Sequence, residues 1–123
     1  MNPAEGKLIY IGIPYSHPDK SVTEKRVVAF SKLSARLMKE GKFVFSPIMN
    51  HLLVIHADIP GDWEYWQHYC NVFMRRCDSL LIYRIPGWDE SIGVAGEIKL
   101  ATELGLPISY VDPDPEALAA LSA

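Results

Sequence analysis

Short apolar runs alternate along the chain with longer segments in which apolar residues recur every three or four positions. The apolar runs predict buried strands, which lie at residues 7–13, 42–46, 78–83 and 106–110. The longer segments predict helices, which lie at residues 21–40, 62–76 and 93–105, with a short terminal helix that starts at 112–115. Ser21 and Glu24 have the spacing of a capping box, so the first helix is expected to begin there.

Strand and helix alternate over the whole chain, which predicts a parallel sheet covered by helices on both faces. We expect one three-layer α/β domain over residues 1–123, flavodoxin-like or Rossmann-like, with four or five parallel strands. In open sheets of this kind, ligands bind beyond the carboxyl ends of the strands. The loops at residues 12–20, 46–51 and 84–93 are therefore expected to form the site, and 47–61 to be irregular.

Glu97 stands on the apolar side of the helix predicted at 93–105. At about 100° per residue, it falls between Leu104 and Ala101. A desolvated carboxylate costs several kcal/mol unless it is used or paired. Glu97 is therefore a candidate functional residue. The alternative is an ion pair with a nearby arginine, namely Arg75, Arg76 or Arg84.

A serine and two glycines lie at the start of the same helix. The free N–H groups and the dipole of a helix N-terminus suit an anion, and Ser91 either caps the helix or turns its hydroxyl to a phosphate. Gly93 and Gly96 each cost roughly 1 kcal/mol relative to alanine. They indicate either a close approach of a ligand to the backbone or tight packing of the helix.

Aromatic residues near the predicted strand ends are further candidates. Tyr10, at the end of the first strand, can orient a carboxylate through its hydroxyl. Tyr15 and Trp88 lie in loops and are candidates for stacking on a ligand ring. Trp63 and Trp66 belong to a stripe at helical spacing, which is more typical of a core.

Composition and charge narrow the classes of partner. A net charge of −3 without a basic patch argues against nucleic acid, and no apolar run approaches the roughly 20 residues of a membrane span. Cys70 and Cys77 lie about 10 Å apart along one helix, too far for a disulfide, so reduced thiols in a cytoplasmic protein are expected. Neither these cysteines nor His17, His51 and His56 have metal-ligand spacing.

Three segments now stand out together: IYIGIPYS at 9–16, GWDES at 87–91 and GVAGE at 93–97. In this order they resemble the nucleoside 2-deoxyribosyltransferase superfamily, and more closely its short bacterial branch of uncharacterised proteins. The similarity extends from Leu8 to about Asp112, and its motifs follow the first and third predicted strands.

The resemblance implies a mechanism. In this superfamily a glutamate at the position of Glu97 attacks C1′ and displaces the base, and a tyrosine matching Tyr10 helps to hold it. Six residues before the glutamate, nucleoside transferases usually carry aspartate, whereas nucleotide 5′-monophosphate hydrolases carry a phosphate-binding serine. Ser91 occupies that position. The expected function is therefore that of a nucleotide N-glycosidase, and the alternatives are a non-catalytic nucleotide-binding module and a base-exchanging transferase.

One residue departs from the superfamily pattern. Characterised members carry an aspartate eight residues before the position of Asp78, where it protonates the departing base. Here that residue is Cys70. A general acid contributes about a hundredfold or more to the rate, so a replacement is needed. The candidates on the same predicted helix are Asp62, Glu64 and His68.

The resemblance also implies a binding site and partners. The expected ligand is a small nucleotide or nucleoside, with no metal or organic cofactor, no nucleic acid and no membrane. A homo-oligomer is expected, because superfamily members often complete their sites with a neighbouring subunit. Besides Ser91, the residues expected to bind substrate are Gly12, Pro14, Tyr15, Ser16, Trp88 and Gly93.

Overall fold

The computed structural model describes residues 6–122, which form four strands and five α-helices. The strands are β1 (Leu8–Gly12), β2 (Phe43–Phe45), β3 (Ser79–Tyr83) and β4 (Ile108–Val111). The helices are α1 (Lys20–Lys39), α2 (His51–His56), α3 (Trp63–Met74), α4 (Ile92–Leu104) and α5 (Pro115–Ser122). A 3-10 helix, Pro47–Asn50, precedes α2. The expected α/β class is confirmed.

All four strands are parallel, in the order β2-β1-β3-β4. Tyr10 pairs with Phe45 of β2 on one side and with Leu80 of β3 on the other. The chain moves from β1 outward to β2 and then returns to the other side of β1 for β3 and β4. The order therefore changes direction between β1 and β3, and the carboxyl ends of these two strands are where an open sheet of this kind binds ligands.

Side chains of the two central strands alternate between two apolar layers. Tyr10 and Leu80 lie in the layer that α3 and α4 cover, whereas Ile11 lies in the layer that α1 covers. The other face thus has its own core, to which Phe30 of α1 contributes. The three-layer arrangement follows from these two cores.

Two local expectations were wrong. Asp19, not Ser21, caps α1, and its Oδ1 accepts from the Ser21 backbone N–H at 2.9 Å. Glu24 makes no reciprocal cap, because its carboxylate contacts His51 instead. Residues 47–61, expected to be irregular, contain the 3-10 helix and α2.

The boundaries of α4 agree with the sequence. Ser91 is the N-cap, and its hydroxyl oxygen accepts from the Val94 N–H at 3.2 Å. Gly105 ends the helix with a φ of 71°, a left-handed conformation that glycine adopts at little cost. Within residues 6–122, none of the helices combines the length and the apolar character needed to cross a membrane.

Candidate active site

A cavity of about 490 Å³ opens at the carboxyl ends of the central strands. Its volume is within the range of small-molecule sites. All three loops expected to carry the site contribute to its wall, through residues 13, 15–17, 46–48, 50–51, 87 and 90–93. Side chains of α1, α2, α3 and α4 contribute the rest of the lining, among them Arg26, Val54, Trp63 and Glu97.

Glu97 lies in the second turn of α4 and lines this cavity, although its side chain is only 5% exposed. Burial raises the pKa of Glu97 to about 8, and the nearby Tyr10 hydroxyl partly opposes that shift. A Cβ added to Gly12 would lie 3.2 Å from the Glu97 Oε1 and 2.7 Å from Ile82. Gly12 therefore leaves room for the carboxyl group.

The structure contradicts the alternative of an arginine partner for Glu97. Arg84 forms a two-contact ion pair with Asp112, at 2.7 and 3.0 Å. Arg75 donates to Asn71, and Arg76 donates to the Val72 carbonyl. No basic side chain within residues 6–122 lies within salt-bridge distance of Glu97. The carboxyl group is buried without a countercharge.

Tyr10 lies behind Glu97, fully buried in the core. Its hydroxyl is close to both Glu97 and Cys70, although it makes no hydrogen bond of standard distance and angle with any described residue. Burial, and then the charge of Glu97, raises the pKa of Tyr10 well above its ordinary value. The phenol therefore keeps its proton and can donate it in a hydrogen bond to an ionised Glu97.

Arg26 is a site residue that we did not identify from the sequence. It lines the cavity, is only 8% exposed, and donates from Nη1 to the backbone carbonyls of Ser16 (3.0 Å) and Tyr15 (3.4 Å). Its pKa is lowered by burial. No carboxylate of the described chain lies within 4.0 Å of the guanidinium. A buried cation without an anion is costly, so an anionic ligand would stabilise it.

Arg26 reaches the loop that precedes α4. A Cβ added to Gly87 would lie 2.7 Å from the Arg26 Nη2, and Gly87 has a φ of 94°. Ser91 and Gly93, at the N-terminus of α4, line the same cavity. The Ser91 oxygen accepts the cap hydrogen bond, which leaves its O–H free to donate. A guanidinium, a hydroxyl and a helix N-terminus thus face one space.

His51 connects two other side chains at the cavity wall. Its Nδ1 lies 2.6 Å from the Tyr15 hydroxyl, and its Nε2 lies 2.7 Å from the Glu24 Oε1. Tyr15 and His51 line the cavity, whereas Glu24 is exposed on α1. The sequence did not indicate these contacts, because Tyr15, Glu24 and His51 come from separate segments.

The tryptophans differ from expectation. Trp88 does not line the cavity; its ring contacts Tyr110 and Arg84 instead, so we withdraw it as a stacking residue. Trp63 and Trp66, assigned to the core, line the cavity as well as packing against the core. The Trp63 indole also lies where a Cβ of Gly96 would be, with Cε2 2.6 Å away. Tight packing, not access to a ligand, thus accounts for Gly96.

The remaining binding candidates are three residues on or behind the β1–α1 loop and Gly93 of α4. Ser16 lines the cavity, and its hydroxyl donates to the Gly61 carbonyl at 2.8 Å. Gly12 and Pro14 are buried behind the lining, so they shape the site without facing it. Gly93 does line the cavity, and a Cβ added to it would lie 3.6 Å from the Trp63 ring, which is ordinary contact.

The candidates for a proton donor divide between two places. Cys70 lines the cavity, and burial raises its pKa to about 12, so it is a neutral thiol and a poor acid. Asp62 also lines the cavity. Glu64 and His68 lie instead along a shallow groove on the outer side of α3. Among the expected donors, only Asp62 faces the space beside Glu97.

We expect stability to fall as pH rises, because of Glu97. Its pKa changes from 4.5 when unfolded to about 8 when folded, so between these values the folded protein keeps a proton that the unfolded chain releases. The free energy of unfolding should fall from about pH 4.5, by up to several kcal/mol, and level off above about pH 8. Glu97→Gln should remove this slope, as measured by urea unfolding at several pH values. An identical slope in both proteins would contradict the assignment.

Metal binding and similarity to known proteins complete the description of the site. Within the part of the chain that the structure describes, no group of three or more histidine, cysteine, aspartate or glutamate side chains is arranged to hold a metal ion. The chain matches none of the curated proteins with which it was compared. The family model described as "Domain of unknown function (DUF1937)" matches residues 7–112. The chain therefore belongs to the DUF1937 family.

Proposed function

We propose that this protein cleaves the N-glycosidic bond of a nucleotide 5′-monophosphate through a covalent ester on Glu97. One observation carries the proposal: a buried carboxyl group and a buried guanidinium, neither with a countercharge among residues 6–122, share a ligand-sized cavity. The first is suited to attack on carbon, and the second to a phosphate. The resemblance to the nucleoside 2-deoxyribosyltransferase superfamily supports the same reaction.

The reaction follows a double displacement. The ionised Glu97 attacks C1′, the bond between C1′ and the base nitrogen breaks, and the base leaves with the electron pair and takes up a proton. Water then attacks C1′ of the ester, loses a proton to a base in the site, and releases the sugar phosphate with Glu97 restored. Tyr10 stabilises the ionised carboxylate by donating from its hydroxyl, which lies beside it.

The phosphate would bind at the start of α4. Its oxygens can accept from the Ser91 hydroxyl, from backbone N–H groups of the first turn and from the Arg26 guanidinium. Arg26 offers Nη2 in addition to the Nη1 that already serves two carbonyls. In the superfamily that the chain resembles, a serine six residues before the glutamate is the feature of monophosphate hydrolases, so Ser91 favours a monophosphate and hydrolysis over base exchange between nucleosides.

A non-catalytic nucleotide-binding module is the second candidate. Cys70 supports it, because a buried thiol occupies the position from which related enzymes protonate the base. Such a module would retain the cavity and the phosphate site without turnover.

A panel of nucleoside 5′-monophosphates and the matching nucleosides distinguishes these functions. We expect free base to be released from at least one monophosphate, without an acceptor base, at a kcat/KM at least about tenfold above that of its nucleoside. Chromatography of the products measures the base. Thermal stabilisation by monophosphates with no release from any would favour the binding module. Release that requires a second base would favour the transferase.

We also propose that the protein is a cytoplasmic homo-oligomer. Cys70 and Cys77 are both free thiols, as is usual in a reducing compartment. Apolar side chains are exposed next to the cavity, on α2 and at the start of α4, where Ile92 is 75% exposed. A second copy that covered them would close the site to water.

A further inference from the structure

We propose that Tyr15, connected through His51 to Glu24, donates the proton to the departing base in place of the aspartate that is absent at Cys70. The inference rests on the proposed function. It is carried by the two short contacts of His51, 2.6 Å to the Tyr15 hydroxyl and 2.7 Å to the Glu24 carboxylate. Tyr15 touches the substrate and is the catalytic residue, whereas His51 and Glu24 are positioning residues.

The side chains of Glu24, His51 and Tyr15 form a hydrogen-bonded path from solvent to the cavity. Glu24 is 57% exposed, His51 is 7% exposed, and Tyr15 lines the cavity that holds Glu97. A proton taken from bulk water at Glu24 can therefore reach the partly buried Tyr15 hydroxyl without crossing apolar surface. A histidine held by a carboxylate on one nitrogen is also the arrangement that orients proton transfer at the other nitrogen.

The proton transfers balance. When His51 is an imidazolium, Nε2–H donates to Glu24, Nδ1–H donates to the Tyr15 oxygen, and the Tyr15 O–H is free to donate into the cavity. As the C1′–N bond breaks, the base nitrogen takes the Tyr15 proton and Tyr15 takes the Nδ1 proton. His51 is left neutral, with its Nε2–H still on Glu24.

The second half of the reaction reverses these transfers. Water attacks C1′ of the glycosyl ester and gives a proton to the Tyr15 oxygen, while the Tyr15 proton returns to His51 Nδ1. The imidazolium is restored and no net proton remains. One relay thus serves as acid in the first step and as base in the second, as a single carboxyl does in retaining glycosidases.

The other groups near the cavity fit this role less well. Burial holds the Cys70 thiol at a pKa of about 12, so it neither donates readily nor takes a proton from water as a thiolate. Burial, and then the charge of Glu24, also raises the pKa of Tyr15, so this phenol stays protonated but, like the thiol, gives up its proton readily only if that proton is replaced. Its connection to His51 supplies the replacement that an isolated phenol lacks. The rivals are the three exposed titratable residues that also line the cavity, Asp62, Glu90 and His17.

Two substrates that differ in their leaving group test the proposal. A nucleoside monophosphate needs a proton on its departing base, whereas 4-nitrophenyl ribofuranoside 5-phosphate releases a nitrophenolate that needs none. We expect Tyr15→Phe to lower the rate of glycosyl-enzyme formation from the nucleotide about a hundredfold, and that from the nitrophenyl substrate less than threefold. Glu24→Gln, on the surface, should show the same selectivity with a smaller loss.

Rapid-quench measurement of the first turnover gives these rates. Tyr65→Phe, an exposed tyrosine on the outer side of α3, is the matched control and should leave both rates unchanged. Equal losses on both substrates in Tyr15→Phe, or the selective loss in Asp62→Asn alone, would overturn the proposal. If the wild-type protein forms the ester with neither substrate, the proposed glycosidase function itself is wrong. That outcome differs from a failure of the Tyr15 proposal alone, in which the wild-type protein still forms the ester.

Discussion

Glu97→Gln should lower kcat for base release from a nucleotide monophosphate by at least about a thousandfold, because an amide cannot form the glycosyl ester. The substitution keeps the shape and the neutral charge of the protonated carboxyl group, whose pKa of about 8 makes it mainly uncharged at pH 7. Binding of the substrate should therefore persist. In the proposed mechanism the ionised form attacks, so wild-type kcat/KM should rise with pH as Glu97 ionises, up to about pH 8.

Mass spectrometry provides a direct measurement for the same variant. Wild-type protein quenched during turnover should carry a sugar phosphate on the peptide that contains Glu97, and the variant should carry none. Glu90→Gln is the matched control, because Glu90 is an exposed carboxylate that lines the same cavity. Base release by Glu97→Gln at the wild-type rate would rule out the covalent mechanism.

The second large effect is expected at Arg26. Arg26→Met keeps the length and the apolar stem of the side chain and removes its charge. A charged hydrogen bond contributes about 1.5–3 kcal/mol, so KM for the monophosphate should rise roughly 10- to 150-fold, while KM for the nucleoside should change little. The guanidinium has no acidic partner in the described chain, but it donates to the Ser16 and Tyr15 carbonyls, so its removal should also cost the unliganded fold about 1–3 kcal/mol.

Thermal melting separates this role from a structural one. Inorganic phosphate at millimolar concentration should raise the Tm of the wild-type protein and should have a much smaller effect on Arg26→Met. Arg36→Met is a suitable control, because Arg36 lies on the same helix, is exposed and contacts Glu40. If KM rises equally for the nucleotide and the nucleoside, Arg26 shapes the cavity and does not bind phosphate.

The fold could be predicted because its pattern is repeated. Each apolar run is followed by a helical segment, so errors at single boundaries did not change the class. The capping box failed because Asp19 offers a better-placed oxygen and Glu24 finds a stronger partner in His51. The short helix α2 was missed because six residues are too few to show a helical period.

The site could be predicted only in part. Glu97 stands out on a wheel because a charge lies among apolar residues, and the same test applied to α1 would have found Arg26. The buried positions of α1 include 26, 29, 30, 33, 34 and 37, which form one helical stripe. The contacts of His51 could not be predicted, because they depend on how α2 packs between α1 and the β1–α1 loop.

Helix α4 carries Ser91 at its N-cap and Glu97 in its second turn. Six residues of helix span about 9 Å along the axis, and a regular helix neither stretches nor shortens. The protein therefore has a fixed length between the group that would hold the phosphate and the group that would attack the sugar. If the proposed function holds, selection among phosphorylated sugars would depend on where on the sugar the phosphate is attached, and loop substitutions elsewhere in the cavity would change the preferred base without changing that length.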